Sequence, residues 1–127
     1  MEAEVIIVDE KVKNAREKAL KWVEGKGFKS IKASFAEDYN DPKSFVRSSN
    51  GNSIAPDITA ESSTGKSYFE IAQKTSKKQA LITKWKLLSQ LAQSKNGQFV
   101  IFTPHGHKSF AQNIVENHHI IAKLVAI

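Results

Sequence analysis

Cysteine is absent from this chain of 127 residues. Its absence excludes disulfides, thiolate zinc sites and cysteine nucleophiles, and it fits a reducing, cytoplasmic setting. Long apolar runs are also missing, so no segment reads as a membrane span. The first residues, Met1-Glu2-Ala3-Glu4, are acidic where a signal peptide is basic. The apolar stretch at 5–8 is too short for the hydrophobic core of such a peptide. There is no phosphate-cradling glycine loop, no serine nucleophile elbow and no dinucleotide-binding fingerprint.

What is present is ordinary for one folded domain, with 40% hydrophobic and 25% charged residues. The formal net charge is +6, which favours a polyanionic partner such as nucleic acid.

Residues 11–26 read as a helix, with Val12, Ala15, Ala19, Trp22 and Val23 at helical spacing and Gly25 and Gly27 ending it. Residues 29–36 alternate as a strand, with Ile31, Ala33 and Phe35 on one face. Residues 37–53 are polar and broken by Pro42, and they read as a long loop in which Lys43 and Arg47 can meet a nucleic-acid backbone. Residues 54–60 and 67–75 read as two hairpin strands, joined by a turn in which Gly65 supplies an awkward backbone angle. A second helix opens at Ser76, its plausible cap, and runs to about Lys95 on the stripe Leu81, Trp85, Leu88, Leu91 and Ala92. Residues 98–103 are almost wholly apolar, as in a strand buried on both faces. A third helix covers 108–118, and residues 120–127 read as another buried strand. The order αβββαβαβ predicts an α/β fold, a mixed central sheet flanked by helices.

The densest chemistry lies in the hairpin. Asp57 follows Pro56 on one strand, and Glu70 and Lys74 lie on the next. Two carboxylates offer oxygen ligands to a hard cation, and an ammonium can stabilise developing charge. As blander readings, Asp57 is a turn residue and Glu70 and Lys74 are exposed strand residues.

This arrangement resembles the PD-(D/E)XK nuclease superfamily from residue 11 to 127. The resemblance implies a single restriction-endonuclease-like domain that cleaves DNA or RNA phosphodiesters with Mg²⁺ or Mn²⁺. Asp57 and Glu70 would hold the metal, and Lys74 would complete the catalytic set. The fit is imperfect, because Ala72 stands where a Glu-x-Lys pattern places its lysine. In an extended strand Glu70 and Lys74 share a face, but their Cα atoms are roughly 13 Å apart, against roughly 7 Å for Glu-x-Lys. A bulge at Ala72-Gln73 would instead turn Gln73 inward. The family often places a Glu on its first helix. Here Glu17 falls opposite the apolar stripe, where a solvated side chain is expected, and Arg16 flanks the stripe better.

Lys77, Lys78, Lys84 and Lys86 form a candidate nucleic-acid-binding set, against the plainer reading of a solvated helix face. Trp85 reads as core. His105-x-His107 lacks a nearby third metal ligand. The alternative to an enzyme is a catalytically degenerate module of the same fold that binds nucleic acid or a protein. A homodimer is also open, since a chain this small often needs a second copy to grip a duplex.

Overall fold

The computed structural model describes residues 10–46 and 53–127. Helix α1, Glu10–Gly25, buries Ala15, Ala19 and Val23, spaced four apart so that they stack along one face. Gly27 follows with φ of 80°, a left-handed conformation that glycine adopts without strain.

The main sheet has five strands: β1 (Lys29–Ala33), β4 (Ile58–Glu61), β5 (Lys66–Ile71), β6 (Phe99–Thr103) and β7 (Lys123–Ala126), side by side in that order. Strand β4 runs antiparallel to both β1 and β5. Strand β6 is parallel to β5 and to β7. Helices α2 (Lys78–Ser94) and α3 (Lys108–Asn117) make the two crossovers. The fold is therefore α/β with a mixed sheet, as the sequence order predicts.

Side-chain alternation sorts the core into two halves. On one face Phe69, Val100 and Phe102 pack with Ala19 and Val23 of α1, and Trp22 meets the Phe102 ring edge-on at 5.4 Å. On the other face Tyr68, Phe99 and Ile101 pack with Ile82, Trp85, Leu88 and Ala92 of α2 and with Ala111 and Ile114 of α3. Every residue of β6 is buried, as its apolar run predicts.

Several elements depart from the sequence reading. The expected loop at 37–53 contains β2 (Phe45–Val46), and β3 (Ser53–Ile54), which pairs antiparallel with it, straddles the loop's end. Phe45 packs against the α2-side core, which gives this polar stretch an apolar anchor. Arg47 lies outside the described residues, and Lys43 is exposed with its ammonium 5.8 Å from the Phe45 ring. Strand β4 begins at Ile58 rather than residue 54, because the buried Pro56 has no N–H for a ladder. Strand β1 stops at Ala33. The last strand is half-buried rather than buried, because β7 lies at a sheet edge.

Helix α2 starts one residue after Lys77, and no side chain caps it. The expected cap Ser76 does not serve; instead Thr75 Oγ1 accepts the Lys77 N–H at 3.1 Å. Gly65 and Gly97 are needed for closeness rather than for an unusual angle. A Cβ on Gly65 would lie 1.9 Å from the Lys95 carbonyl oxygen, and one on Gly97 would lie 1.7 Å from that of Lys66. The turn before β5 and the turn before β6 are pressed together there, with the Lys66 N–H donating to the Lys95 carbonyl at 3.1 Å.

Candidate functional site

The register brings Asp57 and Glu70 together. Ile58 pairs with Phe69, so the residues just beyond, Asp57 and Glu70, stand opposite each other at the same end of β4 and β5. Ile58 and Phe69 point into the α1-side core, so alternation sends Asp57 and Glu70 to the other face. Main-chain donors lock the pair. The Asp57 N–H donates to Glu70 Oε2 at 3.0 Å, and the Ile71 N–H donates to Asp57 Oδ2 at 2.9 Å.

Glu70 is almost completely buried, at 3% exposure. Trp85 Nε1 donates to its Oε1 at 3.2 Å, and Lys84 Nζ lies 3.1 Å from the same oxygen. Burial, then the charge of Asp57, push the Glu70 pKa up to about 8. The Lys84 ammonium and the Asp57 N–H pull the other way and only partly offset them. A buried carboxyl next to a second carboxylate is costly to ionise, and a cation relieves that cost.

Both carboxylates line a cavity of about 650 Å³, with Arg16 from α1, Gln73, Thr75 and Lys77 from the segment between β5 and α2, and Leu81 and Lys84 from α2. Lys77, Leu81 and Lys84 share a helix face at spacings of four and three. Lys84 sits beside the buried Trp85, so it comes from the edge of the apolar stripe and reaches inward. Among the described residues no group of three or more His, Asp or Glu side chains converges as a ready metal cage. The donor set is two carboxylates, a hard-oxygen pair suited to a divalent cation that keeps waters in its remaining positions.

Lys74 is not part of this cavity. Strand β5 ends at Ile71, so residues 70, 72 and 74 do not form one extended strand face. The Ala72 N–H still donates to the Phe102 carbonyl at 2.8 Å, and the chain then leaves the ladder. Neither the extended strand to residue 75 nor the alternative bulge at Ala72-Gln73 forms, because the strand ends here. Ala72 is fully buried in the α2-side core, whereas Gln73 is exposed at the cavity wall. Lys74 lines a neighbouring cleft of about 430 Å³ with Lys18, His105 and His107. Its N–H donates to His107 Nδ1 at 3.1 Å, which ties the end of β5 to the turn before α3.

Lys77, just before α2, and Lys78, Lys84 and Lys86 within it do not act as one surface. Lys77 and Lys84 face the cavity, whereas Lys78 lies 6.0 Å from the Phe110 ring. At about 100° per residue, Lys86 is half a turn away from Lys77, and it is exposed. Glu17 is exposed, as its place opposite the apolar stripe predicts. Arg16 is the α1 residue at the cavity, with its guanidinium 5.5 Å from the Phe35 ring. Sequence reasoning missed Lys84 as the partner of Glu70. The available signal was its position between the cavity-facing Leu81 and the core residue Trp85.

No family model, curated protein or solved structure matches the chain.

Proposed function

We propose that the protein is a divalent-metal-dependent nuclease with a restriction-endonuclease-like core, and that Asp57, Glu70 and Lys84 form its reactive site. The observation that carries this reading is the meeting of two carboxylates and one ammonium in a single cavity, with the central carboxyl buried. The antiparallel run β1-β4-β5, followed by a helix and the parallel strand β6, supports the restriction-endonuclease-like reading of the sheet.

Asp57 and Glu70 would hold Mg²⁺ or Mn²⁺. When bound, such a cation polarises a phosphoryl oxygen and lowers the pKa of water. The chain's own groups do the rest. Lys84 holds Glu70 in place and presents positive charge beside the position a phosphate would take, the role that the motif assigns to Lys74. Arg16 and Lys77 add positive charge around the cavity and can orient a bound phosphodiester.

A second reading is a degenerate module that binds nucleic acid without cleaving it. One observation favours it: both oxygens of Glu70 already have donors, from Asp57, Trp85 and Lys84. A carboxyl so held can serve the fold alone.

Incubation with single- and double-stranded DNA and with RNA, with Mg²⁺, Mn²⁺ or EDTA, separates the two. The nuclease reading expects metal-dependent cleavage that is lost in Asp57→Ala with an unchanged circular dichroism spectrum. Cleavage that survives Asp57→Ala, or that proceeds in EDTA, overturns it. Binding without turnover in any metal selects the degenerate module.

A further inference from the structure

The cavity and the cleft beside it share Gln73 as a common wall. Both open at the same end of the sheet. Glu70 and Ile71 close β5, Pro104 follows β6, and Ile127 follows β7. In open α/β sheets this carboxyl end is where ligands gather. The two hollows differ in charge. The first holds Asp57 and Glu70, whereas among the described residues no Asp or Glu lines the second. The cleft instead carries Lys18, Lys74, His105 and His107, with Asn14 and Gln73 as neutral donors.

Its geometry is held rather than accidental. His107 Nδ1 accepts the Lys74 N–H, so a neutral His107 carries its proton on Nε2 and remains a donor. The same bond holds Lys74 against the turn that bears both histidines. A cleft lined by lysine and histidine donors, with no Asp or Glu side chain among the described residues, suits an anion with several acceptor oxygens.

We infer that this cleft binds a neighbouring phosphate of the same strand that occupies the Asp57–Glu70 cavity, so that the ligand is a polynucleotide strand lying across the carboxyl ends of β5 and β6. The inference rests on reading the cavity as a phosphodiester site, and it adds a direction and a minimum length to the ligand. Lys74 becomes a strand-positioning residue that holds a phosphate one step away.

A rival basic patch lies at the opposite end of the same strands. There Lys66 sits near Lys32, Lys95 and Lys43, with Glu61 as a counter-charge. It is remote from both carboxylates of the site, since Lys66 begins β5 and Glu70 stands at its far end.

Fluorescence anisotropy in EDTA, with labelled oligothymidylates of two to twelve residues, tests the inference without any turnover. Affinity should rise with length over the first few phosphates. Lys18→Glu with Lys74→Glu should weaken the longer strands about tenfold or more. It should also reduce the log–log salt slope by roughly 0.7 for each phosphate that is no longer neutralised. Lys66→Glu with Lys95→Glu should change little. Neutral Lys18→Ala with Lys74→Ala gives the same direction if charge reversal harms folding, which circular dichroism checks. Three outcomes overturn the inference: the Lys66 pair dominates, binding is independent of length, or polyglutamate binds as tightly as the oligonucleotide. If the cleft pair governs binding but no metal supports cleavage, the inference stands and the nuclease reading falls. Cleavage with wild-type affinity in the cleft variant gives the reverse. No binding by the wild-type protein at low salt removes both.

Discussion

Asp57 and Glu70 hold each other through the main chain: the Asp57 N–H donates to Glu70, and the residue after Glu70 donates to Asp57. Each carboxylate thus fixes the backbone on which the other stands. A site built this way is stiff, because neither side chain can swing out without breaking the bond at its partner. The same coupling makes it hard to separate function from folding at Glu70, and easier at Asp57.

Glu70→Ala should therefore damage the fold, not only the chemistry. It leaves the buried Trp85 N–H and the Asp57 N–H without their acceptor and removes the partner of Lys84. Each buried group left unsatisfied costs about 1–3 kcal/mol. Glu70→Gln keeps one acceptor oxygen and should cost clearly less. Urea denaturation of the two variants checks this order. Equal stability for wild type and Glu70→Ala would mean that the Trp85 and Lys84 interactions contribute nothing.

Acidity should act through the same residue. The ordinary pKa of Glu70 is 4.5, and burial with the Asp57 charge lifts it to about 8 in the folded protein. Between those values the folded state holds a proton that the unfolded chain has released. Stability from this group is then fully present below the lower value. It falls as pH rises towards the upper one, by at most about 1.4 kcal/mol per pH unit. Glu70→Gln should remove that slope. Divalent-cation binding should strengthen over the same window, since a cation competes with the proton. Denaturation curves collected from about pH 5 to 9 decide it. A wild-type stability that stays flat through this range, with no slope for Glu70→Gln to remove, would show that Lys84 keeps Glu70 ionised throughout.

The two glycine turns give a purely steric prediction. Gly97→Ala places a methyl group 1.7 Å from the Lys66 carbonyl oxygen, in backbone that cannot simply rotate away. The turn before β6 must then separate from the turn before β5, losing the hydrogen bond from Lys66 to Lys95. The loss should exceed the 1 kcal/mol or so typical of an ordinary point substitution. Gly27→Ala, where no atom lies within 4 Å, should show only backbone strain at positive φ. Thermal unfolding of both variants provides the comparison.

The legible and illegible parts of this chain differ in a physical way. The apolar run of β6 and the spacing of Ala15, Ala19 and Val23 announce their elements, because burial of a whole strand or a whole helix face leaves a periodic trace. The antiparallel pairing of β4 with β5 follows from the short polar turn between them. The end of β5 leaves no such trace. Glu70, Ala72 and Lys74 alternate as a strand should, yet the chain turns away after Ile71 towards His107. That turn depends on a partner thirty-three residues distant in sequence, which no local pattern carries. Lys84 is hidden for the same reason. Helical spacing shows that it flanks Trp85, but only the packing of α2 on β5 shows that it meets Glu70. The pair β2–β3 leaves no periodic signal because each strand is two residues long.

The sharpest test of the site follows from the exchange of one lysine for another. A Glu-x-Lys strand would carry its lysine at position 72, but Ala72 is fully buried among Ile82, Trp85 and their neighbours. Lys84 instead reaches Glu70 from α2 at 3.1 Å, while Lys74 faces the adjoining cleft. If the protein is a nuclease, Lys84→Ala should lower kcat by about 10²–10³, as expected when a charge-stabilising donor is removed from a preorganised site. Lys74→Ala should instead raise KM for polynucleotides and leave kcat within a few-fold, because its phosphate is held equally in the ground state and the transition state. Ala72→Lys should not rescue Lys84→Ala. An ammonium and four methylenes forced into that packed position should destabilise the fold by about 1–3 kcal/mol from overpacking alone, with burial of charge adding to it. Steady-state kinetics on one oligonucleotide, with denaturation curves for the same proteins, reads all three variants. A large kcat loss in Lys74→Ala with little change in Lys84→Ala would return the catalytic role to Lys74 and leave Lys84 as a structural counter-charge for Glu70.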